Sequence, residues 1–511
     1  MARLGIVDLG SNTARLVVFQ YEPGSWFQIL DGIREPVRLG ERLGRGHELT
    51  PQAIDRGLAA LRLFGDYART TELDRLEVIG TSALRDARNS VEFMRRIREL
   101  EVEVSVLTGE EEAQLGVAAV ANSFAFPHAW VADLGGGSVQ VSVMRDRLYE
   151  SGRAFPLGSL RMKEAHPLSD PPRKREVRQI ERTVAAELTG VARRIASRDW
   201  PIVAMGGAVR NLARASQERR KDVLGILHGF RFSREALEEI TGLLLGMTEA
   251  ERAAVPGLNP DRADLIVHAA LIFRWLLAST GRDELLISGQ GVREGVFYRR
   301  FLPPPHLIED VRRFSVENLQ RQWGQSLPHV DRVVELADRL FVELQPLHGL
   351  GEASRGLLEA AGRLHDIGMA VDYNRHHKHG AYLARSLPLP GYSRREQALI
   401  ALLVRYHRKG LPRLGRFRRL AERGDARRLQ QLAACLRLAE QLERSRSGRV
   451  TGVSATIGRK RVRIEVAARE EPTVELWEAS KHADLFERAF SLPLDLRAVS
   501  PPDEPPPARR S

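Results

Sequence analysis

Two short stretches hold residues suited to gripping a phosphate chain. Residues 131–140 read V-A-D-L-G-G-G-S-V-Q, and residues 6–13 read I-V-D-L-G-S-N-T. In each, an apolar run carries one carboxylate, Asp133 or Asp8, just before a glycine turn. Glycine lets backbone N–H groups converge on an anion with no side chain in the way. A carboxylate at the mouth of such a turn can hold a hydrated Mg²⁺ against a phosphate oxygen. Asp133 is the first candidate ligand for that ion and Asp8 the second. Taken alone, either stretch reads equally well as a plain hairpin with a glycine turn. A third stretch, T-G-E-E-E-A from Thr108 to Ala113, places Glu110, Glu111 and Glu112 together. Thr108 suits an N-cap, and acids in a first helical turn complement the helix dipole. That purpose needs one or two acids. Three of them directly after a strand leave a catalytic role open.

These residues need elements to position them. Alternation at Val139, Val141 and Val143 after the second glycine turn predicts strand, turn, strand. The first stretch has the same context, with an alternating strand to Phe19. Each copy is followed by a further apolar strand ending in glycine, L-E-V-I-G at Gly80 and I-V-A-M-G at Gly206. Asp8 precedes Gly80 by 72 positions and Asp133 precedes Gly206 by 73. Matched spacing predicts two related domains facing one cleft. Helical periodicity predicts helices around 53–67, 177–195 and 264–277, and V-E-V-S-V-L at 102–107 predicts the strand that delivers the glutamates. Arg293 and Glu294 fall at a further turn, as cleft residues or as an ion pair closing the domain.

At 511 residues the chain has room for three or four domains. A hydrophobic content of 43% and a charged content of 28% fit a soluble protein. There is no apolar run of about 18 residues, so no membrane span is expected. The first strand begins almost at once, which argues against a secretory leader. Cys435 is the sole cysteine, so no internal disulfide is expected and a reducing cytoplasm fits. The net charge of +12 favours polyanions or, peripherally, an anionic membrane surface.

These stretches resemble the exopolyphosphatase/guanosine pentaphosphate phosphohydrolase family of the actin and sugar-kinase superfamily. The resemblance rests on D-L-G-S-N at Asp8, G-T-S-A-L-R-D-A at Gly80, T-G-E-E-E-A at Thr108 and D-L-G-G-G-S at Asp133. P-L-G-S-L-R-M at Pro156 and S-G-Q-G-V-R-E-G at Ser288 complete the series across residues 1–300. It implies two ribonuclease-H-like α/β domains, residues 1–122 and 123–302. It also implies a Mg²⁺-dependent exopolyphosphatase that removes the terminal phosphate of polyphosphate, with no nucleic acid required and a homodimeric assembly; the alternatives are a guanosine pentaphosphate phosphohydrolase and a non-enzymatic regulator that binds polyanions or nucleotides. Glu112 matches the glutamate that activates water. Asp133 matches an acid tied to metal and phosphate. Arg85, Ser11, Asn12, Gly135, Gly136, Gly137, Ser138 and Gly207 match positions around the phosphate. Two departures stand out. Val139 and Gln140 replace the family's usual threonine and glutamate, removing a negative charge. Ala208 and Val209 follow Gly207 where a threonine hydroxyl is usual.

Pro303 to Pro305 break the pattern, and beyond them it turns helical. Residues 303–447 resemble the HD metal-dependent phosphohydrolases, in which a helical His, a His-Asp pair and a distant Asp bind metal. L-V-R-Y-H-R-K at Leu403 resembles the long bacterial exopolyphosphatases. His329, His365 and Asp366 match the first three ligands, and Glu440 stands where the last Asp is expected. That departure favours a centre kept for packing and dimerisation over an occupied one. The same region is rich in arginine and lysine around Arg405, Arg408, Lys409 and Arg413 to Arg419, a candidate track for a polyanion or simply a solvated basic face. Residues 448–511 read as a small α+β cap, with a hairpin over 450–466, a helix over 474–486 and a disordered proline-rich tail from Pro501.

Overall fold

The computed structural model describes residues 1–100, 102–323 and 327–499. The expected disordered tail lies outside the described residues. The chain forms two compact units, residues 1–312 and residues 313 onward.

The first unit is built on two sheets with related connectivity. Strands β1 (Ala2–Leu9), β2 (Ala14–Glu22), β3 (Trp26–Glu35), β4 (Arg75–Gly80) and β5 (Val104–Val106) take the order β3-β2-β1-β4-β5. Strands β6 (Ala129–Leu134), β7 (Val139–Arg145), β8 (Leu148–Phe155), β9 (Ile202–Met205), β10 (Phe230–Ser233) and β11 (Glu284–Ile287) take the order β10-β11-β9-β6-β7-β8. In both, a hairpin is joined to parallel strands, so β1 pairs with β2 antiparallel and with β4 parallel, and β6 does the same with β7 and β9. This is the actin-like α/β architecture expected for the N-terminal part.

Burial explains the near-continuous apolar composition of the central strands. Leu4, Ile6, Val7 and Leu9 on β1 and Trp130, Val131, Ala132 and Leu134 on β6 are all buried, because parallel-sheet centres are covered on both faces. On the first sheet lies helix Pro51–Thr70, capped by Thr50 Oγ1, which accepts from the Ala53 N–H at 3.2 Å. Its Ile54, Leu58, Leu61 and Phe64 face the core at helical spacing. The second sheet is covered by helices Lys174–Ala196, Gly207–Arg219 and Ile266–Thr280. The last of these begins at Ile266 rather than Asp264, whose carboxylate instead pairs with Lys163 at 2.6 Å and Arg38 at 3.3 Å.

The two halves exchange helices. Helix Gly109–Ala121 follows β5, yet its Val117, Val120 and Ala121 share a core with Val131, Met144, Val203 and Met205 of the second sheet. Helix Val292–Phe301 follows β11, yet its Phe297 stacks on Phe19 of β2 with ring centroids 4.2 Å apart. A division at residue 122 therefore separates helix 109–121 from the sheet it packs on. Periodicity reports that a helix has an apolar face, not which sheet covers that face.

The second unit contains helices Leu327–Glu343, Glu352–Leu364, His376–Ser386, Arg394–Tyr406 and Asp425–Leu442. A small sheet of β12 (Val450–Ile457), β13 (Val462–Ala468) and β14 (Leu494–Val499) follows, in that order. The expected hairpin thus gains a third strand, which runs parallel to β13. The helix expected over 474–486 is two helices, Thr473–Ser480 and Ala483–Phe490. No described helix is long and apolar enough to cross a membrane.

Candidate active site

The C-terminal ends of β1, β4, β6 and β9 deliver their following turns to one cavity of about 170 Å³. Parallel strands end in unpaired backbone groups, and such ends are where open α/β sheets bind ligands. Asp8, Ser11, Asn12, Glu112, Asp133, Gly135, Gly136, Ser138 and Gly207, all predicted from sequence, line it together.

The two hairpin turns are held in the same way. Gly10 N–H donates to the Thr13 carbonyl at 3.1 Å, and Gly135 N–H donates to the Ser138 carbonyl at 2.9 Å. The Ser11 and Asn12 carbonyls accept from the Gly40 and Arg38 amides at 2.8 and 3.0 Å. The Gly135 and Gly136 carbonyls accept from Ser159 and Leu160, at the start of helix Ser159–Ala165, at 3.0 and 2.9 Å. In a trans peptide plane the N–H points opposite to the C=O. Tying the carbonyls outward therefore turns the amides of Gly136 and Gly137 away from that helix.

The glycines earn their place sterically. A Cβ on Gly136 would sit 3.0 Å from Ser11 Cβ, and one on Gly137 would sit 2.6 Å from Ser82 Oγ. The second turn thus lies directly against the first, and Gly137 faces Ser11 and Ser82 rather than the main cavity. Gly206, with φ of +100°, allows the chain to pass Leu134, whose carbonyl oxygen would lie 2.2 Å from an added Cβ. Gly136→Val should pry the turns apart, and we expect a loss of at least tenfold in kcat/KM with the melting temperature changed by only a few degrees. Kinetics beside thermal unfolding of the purified variant measures both.

The electrostatics are unusual for a buried site. Burial raises the Asp8 carboxyl above its ordinary range, opposed by Arg293. Burial pushes Asp133 up to about 6, with Arg210 opposing and Asp8 reinforcing. Glu112 is pushed up to about 7 by burial and by Asp133, against Arg85. Five arginines, Arg15, Arg34, Arg210, Arg262 and Arg293, line the cavity beside these three carboxylates. Burial and mutual repulsion pull the charged forms of Arg15 and Arg262 down to about 10. Such a set of cations held close together is poised for a multiply charged anion.

Arg85 departs from its expected place. It does not line the cavity; its Nη1 donates to Glu112 Oε2 at 3.2 Å and to the Leu107 carbonyl at 2.8 Å. It holds Glu112 rather than lining the cavity. Of the three adjacent glutamates, Glu111 closes the capping box with Thr108, which leaves Glu112 one residue further on to point into the cavity. Arg293 and Glu294 divide the two readings: Arg293 lines the cavity, while Glu294 Oε2 accepts from the Gly291 N–H at 2.6 Å as a cap.

Sequence reasoning missed four arginines, Arg15, Arg34, Arg210 and Arg262. Arg15 had a signal, since it stands opposite Asp8 across the first hairpin. Arg210 had a weaker one, in the first turn of the helix after Gly206, where Nε and Nη2 donate to the Ser288 and Gln290 carbonyls at 2.9 and 3.0 Å. Arg34 and Arg262 arrive through the fold alone. Ala208 and Val209 are buried, and the space at Gly207 is taken by Arg262, whose Nη2 would lie 2.3 Å from a Cβ there. A guanidinium thus stands beside the turn that lacks the expected hydroxyl. Gln140 is buried, lines the cavity opposite Asp133 in register, and has no partner for its Nε2. An N–H donor is aimed where a carboxylate was the expectation.

The model of the Ppx/GppA phosphatase family matches residues 17–303 of this chain. The chain belongs to the Ppx/GppA phosphatase family. The model of Ppx/GppA phosphatase domain III matches residues 311–478. Among solved structures, an exopolyphosphatase from Cytophaga hutchinsonii is 23% identical, with a TM-score of 0.55 over 58% of this chain and 97% of its own. An exopolyphosphatase-like protein is 25% identical, with a TM-score of 0.53 over 58% of this chain and 98% of its own. An Aquifex aeolicus Ppx/GppA family member is 24% identical, with a TM-score of 0.49 over 58% and 96%. Ppx/GppA members are phosphatases, so the cavity described above is the candidate active site of a hydrolase.

Proposed function

We propose that this Ppx/GppA phosphatase is an exopolyphosphatase, which removes the terminal phosphate of inorganic polyphosphate by transfer to water. The carrying observation is the set of five arginines that line one cavity with the half-buried carboxylates Asp8, Asp133 and Glu112 and the two glycine turns. Phosphoryl transfer needs little covalent chemistry from a protein; positioning and charge neutralisation do most of it. Glu112, held by Arg85, is placed to take the proton of the attacking water. A carboxylate of raised pKa is a better match to that task near neutral pH than an ordinary one. Amides of the two turns and the unpartnered Gln140 Nε2 are the donors on offer to the phosphate oxygens. The arginines neutralise its oxygens. Asp8 and Asp133 fit a Mg²⁺ ion, because both line the cavity half-buried and the charge on Asp8 disfavours ionisation of Asp133. When bound there, Mg²⁺ would add Lewis-acid neutralisation of the phosphate oxygens.

Guanosine pentaphosphate is the second reading. No aromatic side chain lines the cavity among the described residues, so no stacking surface for a guanine stands beside the phosphate site. The second unit also carries a groove of about 430 Å³ lined by Lys378, Arg385, Arg405, Arg413 and Arg416, with Tyr382 and Phe417 and no carboxylate. A long polyanion can use such a groove, whereas a nucleotide has few charges to spend on it. Each phosphate neutralised releases counterions, so binding of the longer polyanion should weaken more steeply with salt, as it does for nucleic acids. We expect KM for long polyphosphate to rise at least tenfold between low and moderate salt, and KM for guanosine pentaphosphate much less. Phosphate release from long-chain polyphosphate, guanosine pentaphosphate and ATP, each across a salt series, tests the proposal. Faster turnover of guanosine pentaphosphate with equal salt slopes would replace it with the second reading.

A further inference from the structure

Within the second unit the charges of one region are left unbalanced. From Tyr373 to Ala421 the chain carries twelve lysines and arginines and a single carboxylate, Glu396. The expected set of His329, His365, Asp366 and Glu440 does come together, buried, but its charges close on themselves. Glu440 Oε2 lies 3.1 Å from His365 Nε2 and 3.3 Å from His329 Nε2, and Arg446 pairs with Asp366. Three segments instead bring part of the excess positive charge to one open groove of about 430 Å³. Helix His376–Ser386 contributes Lys378, Tyr382 and Arg385, which share a face because they lie four and three residues apart. Helix Arg394–Tyr406 contributes its last two residues, Arg405 and Tyr406. The stretch after it contributes Arg413 and Arg416, anchored by the buried Phe417 of the 3-10 helix Gly415–Arg419.

These cations are not neutralised within the fold. Elsewhere in the unit arginines meet carboxylates: Arg355 pairs with Asp338, Arg363 with Glu359 and Arg395 with Asp425. Among the described residues, none of Lys378, Arg385, Arg405, Arg413 and Arg416 has a carboxylate partner. Burial and then the Arg416 charge lower the Arg385 guanidinium below its ordinary value, so the groove's cations repel one another. An anion laid along the groove removes that repulsion.

Charge alone does not choose among polyanions; the rings do. Tyr382 is 57% exposed even with Arg385 placed 4.9 Å from its ring centroid, and Arg416 lies 5.1 Å from that of Phe417. An open ring thus stands between two cations on one helix face. A phosphate chain has no flat face to lay on it. A nucleobase has one, and unpaired bases are held by stacking on aromatic side chains and guanidinium planes while cations take the backbone. Paired bases present only their edges in the grooves, so a duplex would leave Tyr382 unused.

We propose that this groove binds single-stranded nucleic acid, with a base stacked on Tyr382 and the phosphates of the strand on Lys378, Arg385, Arg405, Arg413 and Arg416. The strand is a ligand and not a substrate, since no carboxylate lines the groove to take a proton. The inference does not rest on which phosphate compound the cleft hydrolyses. It adds a competitor: a polyphosphate chain and a nucleic-acid strand cannot occupy the same groove together.

The test uses the full chain and the fluorescence anisotropy of a labelled single strand of about ten nucleotides, made as RNA and as DNA. Tyr382→Ala is expected to weaken binding about 5- to 150-fold, the span covered by one lost base-stacking contact. Tyr382→Phe keeps the ring and should bind close to the parent. Arg385→Ala with Arg416→Ala should weaken binding and flatten its dependence on salt. The same strand annealed to its complement should bind less tightly than it does alone. Polyphosphate should displace the strand, and Tyr382→Ala should weaken polyphosphate much less than it weakens the strand. RNA bound more tightly than DNA would support the proposal with a contact to the 2′-hydroxyls, and equal affinity would support it through stacking and phosphate contacts alone. No binding by the parent at low salt, a duplex bound as tightly as the single strand, or a folded Tyr382→Ala protein that binds the strand as its parent does would overturn it and leave the groove to polyphosphate. If Tyr382→Ala fails to fold, the parent's preference between single strand and duplex decides alone.

Discussion

Glu112→Gln is expected to lower kcat by about 10²- to 10⁴-fold, the usual contribution of a positioned general base. The amide keeps the shape of the side chain and the contact with Arg85, but it cannot accept a proton. Three readouts separate loss of the base from loss of the fold. First, kcat/KM of the parent should rise with pH through about 7, because burial and Asp133 raise the Glu112 carboxyl to that value and only its ionised form accepts a proton. Second, Arg85→Ala should move that rise to higher pH, since Arg85 favours the ionised form. Third, stability should move the other way from activity. A carboxyl whose folded pKa is raised contributes stability below its unfolded pKa, near 4.5, and loses it as pH climbs through 7. At pH 8 the neutral glutamine escapes that cost, so the variant should melt no lower than its parent. Near-normal turnover in a folded Glu112→Gln protein would remove Glu112 from the mechanism.

Asp133→Asn carries the second large effect. Removing a direct ligand should weaken Mg²⁺ by at least the roughly 10- to 100-fold seen when only a partner of a ligand is lost. We expect the Mg²⁺ concentration for half-maximal activity to rise by that factor, with kcat falling as well. A second consequence is specific to this arrangement. The Asp133 charge is one cause of the raised Glu112 carboxyl, so the neutral variant should shift the pH rise of kcat/KM downward. A folded variant with parental Mg²⁺ dependence and an unmoved pH profile would place the metal elsewhere.

Much of the cleft was legible because its parts are local. A glycine turn, the carboxylate before it and the alternating strand after it lie within about ten residues, and each follows from period and turn chemistry. The repeat at matched spacing then placed two such turns against one cleft, and Asp8, Ser11, Asn12, Gly135, Gly136 and Ser138 do line one cavity. Local rules also anticipated Thr108 as a cap. They could not say which glutamate closes the box and which points inward, because that depends on how helix 109–121 lies on the second sheet.

The positive lining of the cavity was not legible in the same way. Arg34 is near the end of β3 and Arg262 ends the short 3-10 helix Pro260–Arg262, and nothing near either residue marks it. They meet at the cleft through long-range packing, the same reason that Arg85 was expected at the phosphate and is found behind Glu112. In the second unit, His376 sits in a histidine-rich stretch and His407 alone in a basic one, and any solvated helix end could carry either. Only the packing of their helices brings their Nε2 atoms to 3.1 Å. The sequence by itself determined the α/β repeat, the two acidic glycine turns and the family of the chain, since these rest on periodicity and short-range spacing. The tertiary structure decided which helix covers which sheet, which arginines line the cavity and which histidines face one another, since these depend on contacts between residues far apart in the chain.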